Sequence, residues 1–303
     1  MFSEASNFVK GVDDSLVVIL GISIFFLVGI TAVMIYFVIR YSRKRNPIAT
    51  NIEHNSKLEI LWTVIPTILV VVMFYYGWAG FTPMRNVPKD AMVVKAHGQM
   101  WAWSFEYENG SYSENLIVPL NKPVKLELSS KDVLHSLYIP AYRIKEDVVP
   151  GKANYMWFIP QKEGSYDILC AEYCGERHSY MLSKLEVYSQ DKYDDWYANE
   201  LGVSRDHPGL ALLKQNACIS CHSTDGSAII GPTFKGLWER TEIVMTDGVE
   251  REITVDRDYI RKSLNEPNAD ITKGFNPGLM ISYATTVSDE DMDQIIEYLK
   301  TLK

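Results

Sequence analysis

The sequence predicts a membrane-anchored multidomain chain: two transmembrane helices, an antiparallel β-sandwich or barrel, then a helical domain. Three observations point there. Ser15–Ile39 and Ile60–Met84 are each 25 residues long without a charge. Apolar and polar residues then alternate over short runs from about residue 90 to 188, and from Arg205 onward the pattern is helical. The expected divisions are 1–84 for a helical hairpin, 85–188 for the β domain, 189–203 for a linker and 204–303 for the last domain.

At about 1.5 Å per helical residue, either apolar run crosses a hydrocarbon layer of about 30 Å. Pro66 inside the second is tolerated in a membrane helix. Residues 40–57 carry Arg40, Arg43, Lys44, Arg45 and Lys57 against Glu53, a net +4. Residues 1–14 carry Lys10 against Glu4, Asp13 and Asp14, a net −2. The positive-inside rule puts the loop in the cytoplasm and both termini outside. A cleaved signal peptide fits poorly, because the segment ahead of the first run is acidic and the run is too long. No cysteine lies near it to carry a lipid. Over all 303 residues, 30 Lys+Arg face 38 Asp+Glu, a net charge of −8. That balance argues against nucleic acid as a partner, which needs a basic face. Hydrophobic residues are 47% and charged ones 22%, which excludes global disorder. Four cysteines are too few for a disulfide scaffold.

In the β domain Trp101, Trp103, Phe105 and Tyr107 alternate, as do Val124, Leu126 and Leu128, then Tyr166, Ile168 and Cys170. Period two over short runs means half-buried strands. Asn109-Gly110 signals a hairpin turn, and Pro119, Pro123, Pro140, Pro150-Gly151 and Pro160 separate the other runs. Asp191, Lys192, Asp194 and Asp195 make 189–203 a polar connecting helix or linker. One helix over Gly209–Asn216 precedes Cys218. Another over Ser288–Leu302 has Ser288 and Asp291 spaced as a capping box, with Ile295, Ile296 and Leu299 as its apolar stripe.

The four cysteines fall in two clusters. The first runs Cys170-Ala171-Glu172-Tyr173-Cys174-Gly175-Glu176-Arg177-His178-Ser179-Tyr180-Met181. Two thiols, an imidazole and a thioether form a soft ligand set that suits copper over magnesium or calcium. His135, on a predicted strand, is a second imidazole that strand pairing brings to the loop. A C-x-x-x-C pair alone also reads as a disulfide in an oxidising compartment. His178 and Met181 at their offsets argue for a metal, and zinc more often uses Cys and His without Met. A mononuclear blue-copper site needs one Cys, so two suggest thiolates bridging two metals.

This segment resembles the binuclear copper A loop of cytochrome c oxidase subunit II. That family's pattern, C-x-E-x-C-x-x-x-H-x-x-M plus an upstream His, is met by Cys170, Glu172, Cys174, His178, Met181 and His135. The resemblance implies a cupredoxin-like sandwich in which both thiolates bridge two coppers, His135 and His178 each supply a nitrogen, and Met181 and the Glu172 carbonyl are weak ligands. It implies that the Glu172 carboxylate faces a magnesium ion at the boundary with the catalytic subunit. Leu58-Glu59-Ile60-Leu61-Trp62-Thr63-Val64-Ile65-Pro66 is similar to the start of the family's second helix, placing Glu59 near the mouth of a proton pathway. An anion at a helix N-terminus is the plainer reading of Glu59. Trp101, in Gly98-Gln99-Met100-Trp101-Ala102-Trp103, matches the aromatic over the copper site where electrons come in, and its plainer reading is a core strand residue. Asp132 reads as a rim charge.

The second cluster, Cys218-Ile219-Ser220-Cys221-His222, is C-x-x-C-H, a signature of covalent haem c attachment with the His as proximal ligand. A zinc or redox pair is the alternative. The preceding helix, the Gly231-Pro232 that follows and the terminal helix resemble an all-α class I cytochrome c, which implies that Pro232 supports His222. A downstream methionine should be the distal ligand: Met245, in a polar stretch that reads as a hairpin insert at Thr246-Asp247-Gly248, Met280, or Met292 inside the last helix. The resemblance selects Met280, in the loop before the last helix, although Ile281 stands where the family commonly has Pro. Trp238 and Tyr259 are candidate haem contacts or plain core.

Taken together, the resemblance implies the electron-input subunit of a respiratory haem-copper cytochrome c oxidase of the cytochrome-c-fused, bacterial or archaeal type. Electrons would pass from a donor by haem c to copper A and on to subunit I, where oxygen is reduced and protons are moved. The implied partners are subunit I, subunit III, and a cytochrome c or quinol-oxidising complex as donor. The implied setting is the cytoplasmic membrane, with both later domains on its outer face. A copper-A-containing nitric oxide reductase is a rival that Glu59 disfavours. A membrane-anchored copper-delivery protein is another, but it lacks counterparts of His178, Met181 and the haem motif. A free-standing carrier needs only one anchoring helix. Residues after Met84 sum to −9, an exterior that steers a basic donor. His54, His97 and His207 read as structural.

Overall fold

The structure, a computed structural model, describes residues 5–48, 50, 53–201, 207–227 and 229–303. The end of the expected 189–203 linker and the start of the last domain at 204 therefore lie outside the described residues. Two compact units form, one from residues 1–89 with 141–143, the other from 90–140 with 144–303.

The first unit is a pair of long helices, α1 (Val9–Arg40) and α2 (Ser56–Phe81). Their apolar side chains are exposed all round, as a lipid-facing helix requires. Both differ from the expected spans of 15–39 and 60–84. α1 begins earlier because its first acids are paired: Asp14 with Lys10 one turn back, and buried Asp13, whose Oδ1 accepts from Arg143 Nε at 2.9 Å. α2 begins at Ser56 because Asn55 caps it, its side chain accepting from the Leu58 N–H at 3.2 Å. It ends at Phe81, and residues 82–85 form a 3₁₀ turn starting at the Thr82-Pro83 step.

The second unit starts with ten strands: β1 (Met92–Gln99), β2 (Ala102–Glu106), β3 (Tyr112–Ser113), β4 (Leu116–Pro119), β5 (Val124–Ser130), β6 (His135–Ile139), β7 (Ile144–Val148), β8 (Asn154–Phe158), β9 (Gly164–Cys170) and β10 (Leu182–Tyr188). They form two five-stranded sheets, β3-β2-β1-β5-β8 and β4-β10-β9-β6-β7. The inward faces close a core around Val94, Phe105, Leu126, Phe158, Ile168 and Leu185. This is the expected cupredoxin-like sandwich, with one difference. β1 pairs with β5, and β4 with β10, in parallel, a distinction that period-two alternation does not carry.

α3 (Gln190–Trp196) lays buried Tyr193 and Trp196 on the sandwich, with Trp196 5.3 Å from Tyr107 between ring centroids. So the polar connector has an apolar face. The last domain has α4 (Pro208–Gln215), the hairpin β11 (Thr241–Thr246) and β12 (Val249–Thr254), α5 (Arg257–Asn265), β13 (Ile271–Thr272) and α6 (Asp289–Leu299). Leu213, Val255, Ile260, Met292, Ile296 and Leu299 form its core. Ser288 caps α6 in a reciprocal box with Asp291. The domain is helical but not all-α, because β11, β12 and β13 add a small sheet at the insert. α4 also packs against β2 and β3, which explains why Ala102 and Ser104 are buried opposite Trp103 and Phe105.

Candidate copper and haem sites

The first cluster is built by strand ends. Cys170 is the last residue of β9 and His135 the first of β6, and these strands pair so that Ala171 N–H donates to the Ser136 carbonyl at 2.9 Å. The loop from Cys170 to Met181 joins β9 to β10, and its ends are tied by Cys170 N–H donating to the Met181 carbonyl. A 3₁₀ turn over His178–Tyr180 brings His178 inward.

The donor atoms converge. Cys170 Sγ lies 3.7 Å from Cys174 Sγ, 3.9 Å from His135 Nδ1 and 3.3 Å from the Glu172 carbonyl oxygen. Cys174 Sγ lies 3.5 Å from His178 Nδ1 and 3.8 Å from Met181 Sδ. Both thiols are free, and their separation is far from the roughly 2 Å of a disulfide. His135, Cys170, Cys174 and Met181 are buried. Burial works against ionising Cys170, but hydrogen bonding from His135 and the backbone brings its pKa down to about 6. Burial and the neighbouring Cys170 thiolate push Cys174 up to about 12. Ionising both of these adjacent buried thiols therefore takes a cation between them, and soft donors at these separations fit copper.

The second site is a largely apolar cavity walled by residues such as Leu213, Phe234, Leu237 and Ile260, with Cys218, Cys221, His222 and Met280 on its lining. Burial pushes the Cys218 thiol up to about 12, which suits a sulfur that becomes an uncharged thioether. His222 Nδ1 donates to the Pro232 carbonyl at 2.7 Å, leaving Nε2 for a metal, and its ring stacks on Phe234 at 4.6 Å. A Cβ at Gly231 would come within 2.5 Å of His222 Cε1, so only glycine lets the imidazole sit there. The cradle fits a haem held on two sulfurs and a histidine.

Family models match along the chain. The transmembrane domain of cytochrome c oxidase subunit II matches residues 2–78, its periplasmic domain 111–188, and cytochrome c 207–303. Cytochrome c oxidase subunit 2 of Alkalihalophilus pseudofirmus is 32% identical over 306 residues, covering 94% of this chain and 86% of that protein. The chain belongs to the cytochrome c oxidase subunit 2 family. Subunit 2 of Cereibacter sphaeroides is 29% identical over 227 residues, 62% of this chain and 74% of that one. The periplasmic domain of subunit II of cytochrome oxidase from Bradyrhizobium japonicum is 28% identical, covers 37% of this chain and 95% of that one, and superposes with a TM-score of 0.36.

Within this subunit 2 framework the remaining candidates fall into place unevenly. Trp101 donates from Nε1 to the Cys174 carbonyl at 3.1 Å, and also lines the haem cavity. Gly175, at φ +115°, lies under that indole, where a Cβ would approach to 3.2 Å. Met245 sits on β11 and Met292 is buried in the α6 core, so of the three methionines Met280 is the one on the cavity. Tyr259 also lines it, whereas Trp238 packs beneath Lys300. Glu59 caps α2, accepting from the Asn55 N–H at 3.1 Å. The Glu172 carboxylate joins no group of three metal-binding side chains among the described residues.

Asp132 is more than a rim charge. Its Oδ1 accepts from His135 Nε2 at 2.8 Å and its Oδ2 from the Met100 N–H at 2.7 Å. It fixes the imidazole so that Nδ1 faces Cys170, the arrangement of a metal-binding histidine held from behind. Of the other histidines, His97 bridges Ser129 and Glu106, and His207 caps α4.

Proposed function

We propose that this chain is the electron-input subunit of a haem-copper oxidase. It takes electrons from a donor at its cytochrome c domain and hands them, by way of its copper-binding domain, to the oxygen-reducing subunit I. One observation carries the reading. The cavity lined by Cys218, Cys221, His222 and Met280 is also walled by Met100 and Trp101, and Trp101 donates to the Cys174 carbonyl. A single side chain thus touches both sites.

Copper A and haem c, when bound, supply one-electron redox chemistry. The residues of this chain hold, orient and shield. Cys218 and Cys221 would tether the porphyrin, and His222, presented through its Pro232 hydrogen bond, and Met280 would hold its iron. Cys170, Cys174, His135, His178, Met181 and the Glu172 carbonyl would hold the copper. His135 and Cys170 stand at the ends of paired strands, Met181 directly precedes another, and these three with Cys174 are buried, so the cage changes little in shape when its charge changes. Trp101 stands between the two sites, lining the cavity of one and hydrogen-bonded to the Cys174 carbonyl of the other.

Two apolar helices and family membership support a membrane-anchored subunit that assembles with other oxidase subunits. The basic 40–57 loop supports an orientation with that loop in the cytoplasm and both binding domains outside. Glu59 lies near the membrane face where a proton pathway would open, and the acidic outer domains favour a basic donor. Purification with the partner subunits tests the reading. Copper, haem c and donor-driven oxygen consumption are expected. A complex loaded with both that reduces nitric oxide and not oxygen would overturn the assigned acceptor.

A further inference from the structure

The boundary between the copper domain and the cytochrome c domain has its own polar node. Gln99, at the end of β1, donates from Nε2 to the Asn216 carbonyl at 2.7 Å and to Tyr283 Oη at 3.3 Å. Tyr283 Oη in turn donates to the same carbonyl at 3.2 Å. All three residues are over nine-tenths buried, at 3%, 6% and 8% exposure for Gln99, Asn216 and Tyr283. Nearby, Lys131 Nζ donates to the Gln215 carbonyl at 2.7 Å.

The physical cause is the end of α4. A helix leaves its last carbonyls without intrahelical partners, and here two of them, on Gln215 and Asn216, are satisfied by side chains of the copper domain. A lysine ammonium at that end also complements the helix dipole. Each residue of the node sits beside a functional group of the proposed reading. Asn216 precedes Cys218 by two residues, Tyr283 follows Met280 by three, and Gln99 precedes Trp101 by two. From Gln99 the connection continues into the copper site, because the next residue, Met100, gives its N–H to the same Asp132 that holds His135.

We infer that Gln99, Asn216 and Tyr283 are positioning residues: a buried three-way lock that holds the haem-attachment turn and the Met280 loop against the Met100–Trp101 turn, and so sets the separation of haem and copper. This rests on the reading that both sites are loaded. The lock is polar where an apolar contact would also bury surface, and the geometry gives the reason. Hydrogen bonds to one carbonyl fix direction and register, whereas apolar contact tolerates sliding.

The test uses the full-length, copper- and haem-loaded protein with Tyr283→Phe, Gln99→Leu and the double variant. Haem and copper spectra come first. Their absence from the unaltered protein would defeat the proposed function and not the lock. With both spectra intact in the variants, pulsed dipolar EPR between oxidised haem and copper reads the separation, and flash reduction of the haem reads the rate to copper. We expect one narrow distance in the unaltered protein. In the variants a longer, broader population should grow by about fivefold per lost hydrogen bond, with a slowed phase of matching amplitude. Tyr283→Phe removes one oxygen and keeps the ring, so it serves if Gln99→Leu does not accumulate. Lowered thermal stability with an unchanged narrow distance and an unchanged rate would overturn the inference, since a merely structural role predicts that result.

Discussion

At the scale of single residues, the ligand loop depends on donor softness. Replacing the bridging thiol in Cys174→Ser puts a hard oxygen where a soft donor is needed. Copper per chain should fall below two and the near-infrared mixed-valence band should vanish, while the haem spectrum survives because its ligands lie elsewhere. Two retained coppers with that band would refute the bridging role. Met280→His should keep six-coordination but lower the haem potential, because imidazole donates more strongly than a thioether, and redox titration checks it. Loss of the methionine-ligation absorbance in a Met245 variant instead would show the wrong distal ligand. Most of this was legible because Cys170, Cys174, His178 and Met181 are close in sequence, and so are Cys218, Cys221 and His222. Asp132 was not. Its role depends on the 130–133 turn aiming the carboxylate back at His135, and nothing in local sequence reports that direction.

At the scale of elements, Asp270 is the tie most open to test. Nearly buried, with its side chain 4% exposed, it joins the insert hairpin through Arg251 and Thr246 to α5 through Lys262. It lies on the stretch between α5 and the Met280 loop. Burial alone would raise its pKa, but Lys262, Thr246 and Arg251 hold it well below the usual carboxylate range. A carboxyl depressed by folding stabilises fully above its unfolded pKa of about 3.9 and loses that contribution as acid protonates it in the native state. Asp270→Asn should therefore cost about 1–3 kcal/mol near neutral pH. Denaturant titrations should show the gap to the unaltered protein steady from pH 8 to 5 and shrinking below 4; a constant gap down to pH 2 would contradict this. The hairpin was legible from Thr246-Asp247-Gly248, and α6 from Ser288 and its apolar stripe. The parallel β1/β5 and β4/β10 pairs were not, since alternation is the same in either direction. The early start of α1 was hidden too, because Asp13 meets Arg143 from 130 residues away.

At the scale of the whole chain, the order of the two cysteine clusters gave the modules but not their junction. Gln99, Asn216 and Tyr283 are ordinary polar residues until the fold buries them together, and Trp101, which the resemblance places over the copper site, is found on the wall of the second cavity only in the fold. That junction covers the copper-side tryptophan with the cytochrome c domain, so a donor should reach copper through the haem-binding domain. Removing residues 204–303 should leave a copper-loaded subunit that is slow with its natural donor yet partly restored by small artificial donors that reach Trp101. The order of reduction in the intact protein decides the matter. In rapid mixing of the oxidised complex with its reduced natural donor under anaerobic conditions, the haem c absorbance should rise first and the copper A band should bleach after it, at a rate independent of donor concentration. Copper bleaching before haem reduction, or at an unchanged rate once residues 204–303 are removed, would contradict the proposed route.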